Sequence, residues 1–303
     1  MAHTSEDVSA STASVAHADG ADDAVVVTSL QYAYPDSPPL ISDFTLRLPR
    51  GSRCLLIGAN GAGKSTLLQI LGGKFMVGQD VVRILGRPAF HDLLLTSSGD
   101  LGYLGAQWRR DVGSIGGDVP MQADIGAGDM IHRVEGVDPD RRQRLIDLLD
   151  IDLSWRLNRV SDGQRRRVQI CMGLLKPYKV LLLDEITVDL DVVGRLDLLD
   201  FFQQECDARG ACIVYATHIF DGLESWITHV AYVENGKLLK GGPVDSISEL
   251  QSRKLFPTVE AWLRKEKQER LQRKQASQKA PKPPPAKTSA PFMPSKHMAF
   301  YRG

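Results

Sequence analysis

Between Val25 and about Ile247, short apolar runs alternate with stretches whose apolar residues recur at helical spacing, and Gly-rich turns separate them. "CLLI", Cys54 to Ile57, predicts a buried strand, and the apolar stripe from Ser65 to Leu71 predicts a helix soon after it. Val180 to Leu183 predicts a second buried strand, and "ACIVYAT", ending at Thr217, is another apolar run. Ser161, two intervening residues and Gln164 form the capping-box pattern S-x-x-Q, so a helix is expected from Asp162 through "GQRRRVQICMGLL". The pattern fails at both ends. Residues before Val25 are small and polar, and after Pro257 the chain turns to "TVEAWLRKEKQERLQRKQ", a charged helix with few apolar positions. A Pro- and Lys-rich tail follows, expected to be extended. The expected organisation is a disordered leader (1–24), a folded α/β domain (25–250), a charged helix (251–276) and the tail (277–303).

Composition adds exclusions. The 303 residues carry 37 basic and 37 acidic side chains, which argues against bulk nucleic-acid binding and leaves a local basic patch open. No apolar run approaches the length of a membrane span, so a transport role would need a separate membrane subunit. Cys54, Cys171, Cys206 and Cys212 form no C-x-x-C pair and sit among apolar or helical neighbours. Reduced, buried thiols in cytosol or nucleus are expected. The first 23 residues lack an apolar signal region and are too acidic for a mitochondrial transit peptide.

The chemistry begins at "GANGAGKST". Gly58, Gly63, Lys64 and Ser65 fit G-x-x-x-x-G-K-[ST] between the predicted strand and helix. Glycines let backbone N–H groups curl around phosphate oxygens, and the helix start adds partial positive charge. Lys64 would reach the outer phosphates, and the Ser65 hydroxyl would ligate Mg²⁺. Asn60, Gly61 and Thr66 complete the candidate loop. At the end of the second strand, Asp184 would hold Mg²⁺, mostly through water. Glu185 would orient or deprotonate an attacking water.

A phosphate loop, then "VSDGQ", "LLLDE" and "ATHIF", resembles the motif order of the ABC (ATP-binding cassette) ATPase family over roughly Val25 to Ser246. The resemblance implies a P-loop fold, with a RecA-like mixed sheet core and a small helical subdomain, and ATP hydrolysis with Mg²⁺. It implies that Tyr34 stacks on adenine, with Tyr32 a nearby rival. It implies that Gln107 senses Mg²⁺ and water, that His218 contacts the γ-phosphate, and that Asp191 communicates across a dimer. Two departures stand out. Ala106 replaces the proline usual before the glutamine. The Pro-Thr-Ser-Gly-Leu-Asp usual after the glutamate is here Ile186, Thr187, Val188, Asp189, Leu190, Asp191, which alters the stiffness of that loop.

In the family, the signature motif closes over ATP held by a partner subunit. Ser161, Asp162, Gly163 and Gln164 occupy it here, and Asp162 replaces a usual glycine. A carboxylate near a helix start gains about 0.3–1 kcal/mol from the dipole. At ~6 Å from a phosphate charge, unpaired, it would lose roughly 3 kcal/mol at an effective dielectric near 20. Asp162 is therefore expected to point sideways and pair with Arg165 and Arg166. With one phosphate loop and one SDGQ per chain, a head-to-tail dimer with a second copy is expected.

"LLDIDLSWRLNRVSDGQRRRVQICMGLLKPYKVLLLDEITVDLDV" is similar to a eukaryotic soluble ABC family. That family contains the yeast ATPase associated with the Ccr–Not complex and plant subfamily I members. This implies a cytoplasmic or nuclear regulatory ATPase. Two other readings stay open: a detached nucleotide-binding subunit of a membrane transporter, and a nucleotide-dependent switch with negligible turnover.

Overall fold

The computed structural model describes residues 22–105, 124–252 and 254–279. It divides into two compact units, residues 1–263 and 264–303.

The first unit opens with β1 (Asp23–Tyr32), β2 (Ile41–Pro49) and β3 (Arg53–Ile57), followed by α1 (Lys64–Leu71). Next come β4 (Val82–Ile84), β5 (Arg87–Pro88), α2 (Leu94–Ser97) and β6 (Leu101–Gly105). A helical stretch holds α3 (Ala127–His132), α4 (Pro139–Leu148) and α5 (Asp162–Leu174). Then β7 (Val180–Asp184), α6 (Val192–Arg209), β8 (Cys212–Ala216), α7 (Leu223–Trp226), β9 (His229–Glu234) and β10 (Lys237–Pro243) return to the sheet. Then come α8 (Ser248–Ser252) and α9 (Leu255–Lys279).

The main sheet has the order β10-β9-β3-β8-β7-β6, parallel throughout except for β10. A second, antiparallel sheet has the order β2-β1-β4-β5. Period-two alternation divides the core between the faces of the main sheet. Leu55, Ile57, Leu181, Leu183, Ile213 and Tyr215 pack with α5, α6 and the apolar side chains of α3 and α4. Cys54, Leu56, Val180, Leu182, Val214 and Ala216 pack with α1 and the antiparallel sheet. Both faces are covered, so these strands are apolar runs rather than alternating ones. The first unit passes the boundary expected at 250 because Leu255, Val259 and Trp262 bury their side chains in its core. In the second unit, the described part is charged helix, with Arg273 placed 3.5 Å from Glu269 one turn earlier.

All four cysteines are free and buried. Burial pushes the Cys54, Cys171 and Cys206 thiols up to about 12, so they stay protonated and unreactive at neutral pH. Among the described residues, no helix is long and apolar enough to cross a membrane.

A candidate nucleotide site at the strand ends

The phosphate loop leaves the end of β3 and enters α1 at Lys64. Gly61 and Gly63 have φ of 84° and 100°, a region L side chains rarely adopt. The first turn of α1 holds no acidic residue, so nothing there competes with an anion. Lys64 folds over the loop and donates to the carbonyls of Gly58 (2.7 Å) and Ala59 (3.2 Å). Its chain is buried while Asn60, Gly61 and Ser65 are exposed.

Across the cleft, β7 delivers Asp184, buried, with the Tyr103 hydroxyl donating to its Oδ2 at 3.4 Å. Glu185 follows with φ of 52°, strained for a long side chain, and its N–H donates to Ala216 O at 2.9 Å. The turn swings its carboxylate under His218, whose N–H donates to Oε2 and whose Nε2 stands 3.4 Å from Oε1. Oε1 is buried and has no hydrogen-bond partner among the described residues. Burial pushes the Glu185 carboxyl up, and His218 and Lys64 pull it partly back.

These groups line one cleft of about 730 Å³: Asn60, Gly61, Gly63, Lys64, Ser65 and Thr66 on one side, Asp184, Glu185 and His218 on the other. Leu40, Val188 and Ile219 supply apolar lining that motif reading missed. The volume lies within the range of small-molecule sites. No cluster of three or more His, Cys, Asp or Glu able to hold a metal occurs among the described residues. One buried carboxylate and one hydroxyl are hard oxygen donors. They fit Mg²⁺, which is held by one or two carboxylates plus substrate phosphates rather than by a protein cage.

Tyr34 stands beside this cleft. Its hydroxyl is 3.0 Å from Thr66 Oγ1, and its ring packs edge-on against Tyr32 and Phe75 at 5.3 and 5.7 Å. Gln107 lies outside the described residues. Ser161 to Gln164 do not line the cleft. They form the expected capping box: Ser161 Oγ accepts from Gln164 N (3.2 Å), and Gln164 Oε1 accepts from Ser161 N (3.0 Å). Gly163 faces the loop after Glu185, where an added Cβ would lie 3.5 Å from Asp189 O.

The pairing expected for Asp162 holds for Arg165 and needs correction for Arg166. Arg165 Nη1 donates to Asp162 Oδ1 at 2.5 Å, and its other nitrogens donate to Leu157 O and Val160 O at 3.1 Å each. Arg166 is buried and points inward, donating to Ile186 O (3.4 Å), Gly105 O (3.3 Å) and Gln169 Oε1 (3.4 Å). Position i+4 falls on the buried stripe of α5, which sequence spacing from Asp162 alone did not reveal. Asp191 caps α6, accepting from Gly194 N at 2.8 Å, and also meets Arg167 at 3.4 Å.

The loop lacking proline and glycine is anchored otherwise. Ile186 and Leu190 are buried, and Thr187 Oγ1 is 2.6 Å from the Tyr215 hydroxyl. Asp189 does not adopt positive φ, so a glycine is not required there.

A glycine loop joining strand to helix, facing a strand-end acid pair, defines a phosphate-loop nucleotide hydrolase site. The ABC transporter family model matches residues 41–188. ABC transporter I family member 21 of Arabidopsis thaliana is 57% identical over 94% of this chain and 99% of its own length. CCR4-associated factor 16 of Saccharomyces cerevisiae is 42% identical over 71% of this chain and 77% of its own. A dimeric ATP-binding cassette bound to ADP and Pi, 19% identical, superposes with a TM-score of 0.58 over 72% of this chain and 98% of that one, and shares the fold. The chain belongs to the ABC transporter family and is an ABC-type ATPase.

Proposed function

We propose that the chain hydrolyses Mg-ATP at the interface of a head-to-tail dimer of itself and acts as a regulatory ATPase rather than a pump. One observation carries the dimer: the cleft holds the phosphate loop and the acid pair, while the capped helix start at Ser161 lies outside it. The partial positive charge of a helix start suits a phosphate, and a second copy is the simplest source of one.

In this reading, Lys64 leaves the Gly58 and Ala59 carbonyls for the outer phosphates. Ser65 and Asp184 would hold Mg²⁺, which supplies charge neutralisation for the phosphates when bound. Glu185 Oε1, which has no hydrogen-bond partner among the described residues, accepts the proton of the attacking water. His218 steers that carboxylate and reaches the γ-phosphate, Tyr34 turns from Thr66 to stack on adenine, and Gln107 reads water and metal. The capped helix start formed by Ser161, Asp162, Gly163 and Gln164 closes over the ATP of the second copy, and Asp191 reports between the two sites.

The yeast relative's name supports a link to the Ccr4 machinery and, with it, a cytoplasmic or nuclear setting. The family and the plant relative are both called transporters, which favours a second reading as a detached transporter subunit. Affinity purification in detergent decides between them. Ccr–Not subunits without an integral membrane partner are the expected result. A stoichiometric multi-span protein would overturn the regulatory reading.

Asp162 gives a test of closure. Paired with Arg165, it is held aside, so Asp162→Gly is expected to change ATP-driven dimerisation by no more than about fivefold, the scale of a surface ion pair. Arg165→Ala frees the carboxylate, and the penalty rises toward about 3 kcal/mol. The double variant should recover most of the loss in analytical ultracentrifugation. If Asp162→Gly alone strongly promotes dimerisation, the carboxylate faces the phosphate after all.

A further inference from the structure

Tyr103 has a contact that neither its motif nor its neighbours in sequence announce. Tyr103 and Gly105 are two apart on β6 and share a face. In the parallel register Tyr103 lies opposite Leu182 and Gly105 opposite Asp184. A tyrosine standing upright beside Leu182 would miss Asp184. The ring instead lies down along its own strand across Gly105. A Cβ added at 105 would meet Tyr103 Oη at 2.6 Å, Cζ at 2.9 Å and Cε1 at 3.0 Å. Gly105 does not adopt positive φ, so this glycine supplies space rather than backbone freedom. Through that space the hydroxyl reaches Asp184 Oδ2 at 3.4 Å. From the turn after α1, the Lys74 ammonium sits 4.4 Å from the ring centroid and helps hold the ring in place.

We propose that Tyr103 is a positioning residue for Asp184: lying across Gly105, its hydroxyl engages one carboxylate oxygen and thereby presents the other to the Mg²⁺ that accompanies the nucleotide. This rests on Asp184 being the metal-holding carboxylate. Carboxylates that hold a metal are themselves hydrogen-bonded, and removing such a partner weakens metal binding by about 10–100-fold. The 3.4 Å separation is long for a hydroxyl and carboxylate, and hydrogen bonds of such sites often tighten only in the full complex.

Mn²⁺ binding to the full-length protein, followed by electron paramagnetic resonance with a saturating non-hydrolysable ATP analogue, tests this without turnover. Tyr103→Phe keeps the ring and removes only the hydroxyl. It is expected to weaken Mn²⁺ binding by about tenfold or more. Nucleotide affinity in EDTA should be unchanged. Gly105→Ala should displace the ring and weaken Mn²⁺ similarly, yet have no effect in a Tyr103→Ala background. Wild-type Mn²⁺ affinity in Tyr103→Phe, or equal losses from Gly105→Ala in both backgrounds, would overturn the assignment. Asp184→Asn separates the levels. If that substitution leaves Mn²⁺ binding intact, the reading of Asp184 itself falls. If it abolishes binding while Tyr103→Phe is silent, only the role of Tyr103 falls.

Discussion

Glu185→Gln is expected to lower ATP turnover by about 10²–10⁴-fold while nucleotide binding persists, the usual contribution of a positioned general base. The amide keeps the shape of the carboxylate and can still accept from the His218 N–H, so the strained turn at Glu185 should survive. What disappears is the proton acceptor beside the phosphate loop. The wild-type pH profile should carry the same signature. Burial raises the Glu185 carboxyl, so the protonated, inactive form persists to higher pH than for an ordinary glutamate. Turnover should therefore fall as pH drops, with its midpoint above that of an ordinary glutamate. In the glutamine variant this acidic limb should be missing. Phosphate release measured from mildly acidic to neutral pH checks both. Equal, near-zero rates for wild type and variant would instead make the protein a nucleotide-dependent switch.

The second large effect is on stability. Glu205 of α6 is buried and accepts two hydrogen bonds from Arg141 of α4, at 2.8 and 2.9 Å, and one from Arg209 at 2.8 Å. Arg141 also donates to Leu174 O at the end of α5 (2.9 Å) and lies 5.2 Å from the centre of the Phe201 ring. One ion pair therefore ties three helices together. Glu205→Ala leaves Arg141 charged, poorly solvated and without its partner. The expected loss is about 3–5 kcal/mol, or a Tm lowered by roughly 6–20 °C. Replacing both members by apolar residues, Arg141→Met with Glu205→Leu, should cost far less, because the buried charge is gone and the remaining Arg209 is exposed enough to be hydrated. Thermal denaturation of the single and double variants decides the point. Equal losses would mean that packing, not charge, dominates there.

What the sequence made legible was mostly local. The phosphate loop and the capping box depend on spacings of a few residues, and the backbone realises both. Val180 to Leu183 announced a buried strand because both of its faces are covered. The Arg165–Asp162 pair is a one-turn helical contact and was equally accessible. Contacts set by tertiary register were not. Tyr103 reaches Asp184 only because β6 pairs in parallel with β7 and a glycine lies between them. Arg166 turned inward because its position falls on the stripe of α5 facing the loop after Glu185. Arg141 and Glu205 are 64 residues apart, and neither belongs to a motif. The replacements from Ile186 onward point to an altered stiffness without saying what holds the loop, and buried Ile186 and Leu190 pin it by means that proline and glycine do not use.

Arg166 carries such anchoring furthest. Its guanidinium spans the helix that begins at Asp162, the loop beyond Glu185 and the end of β6. A planar fork can hold several such acceptors at fixed angles, where the single ammonium of a lysine cannot. The three segments are thereby braced like spokes on one hub. In the proposed dimer, a push on the signature helix from one ATP would be delivered as a rotation of the whole hub, acid loop included.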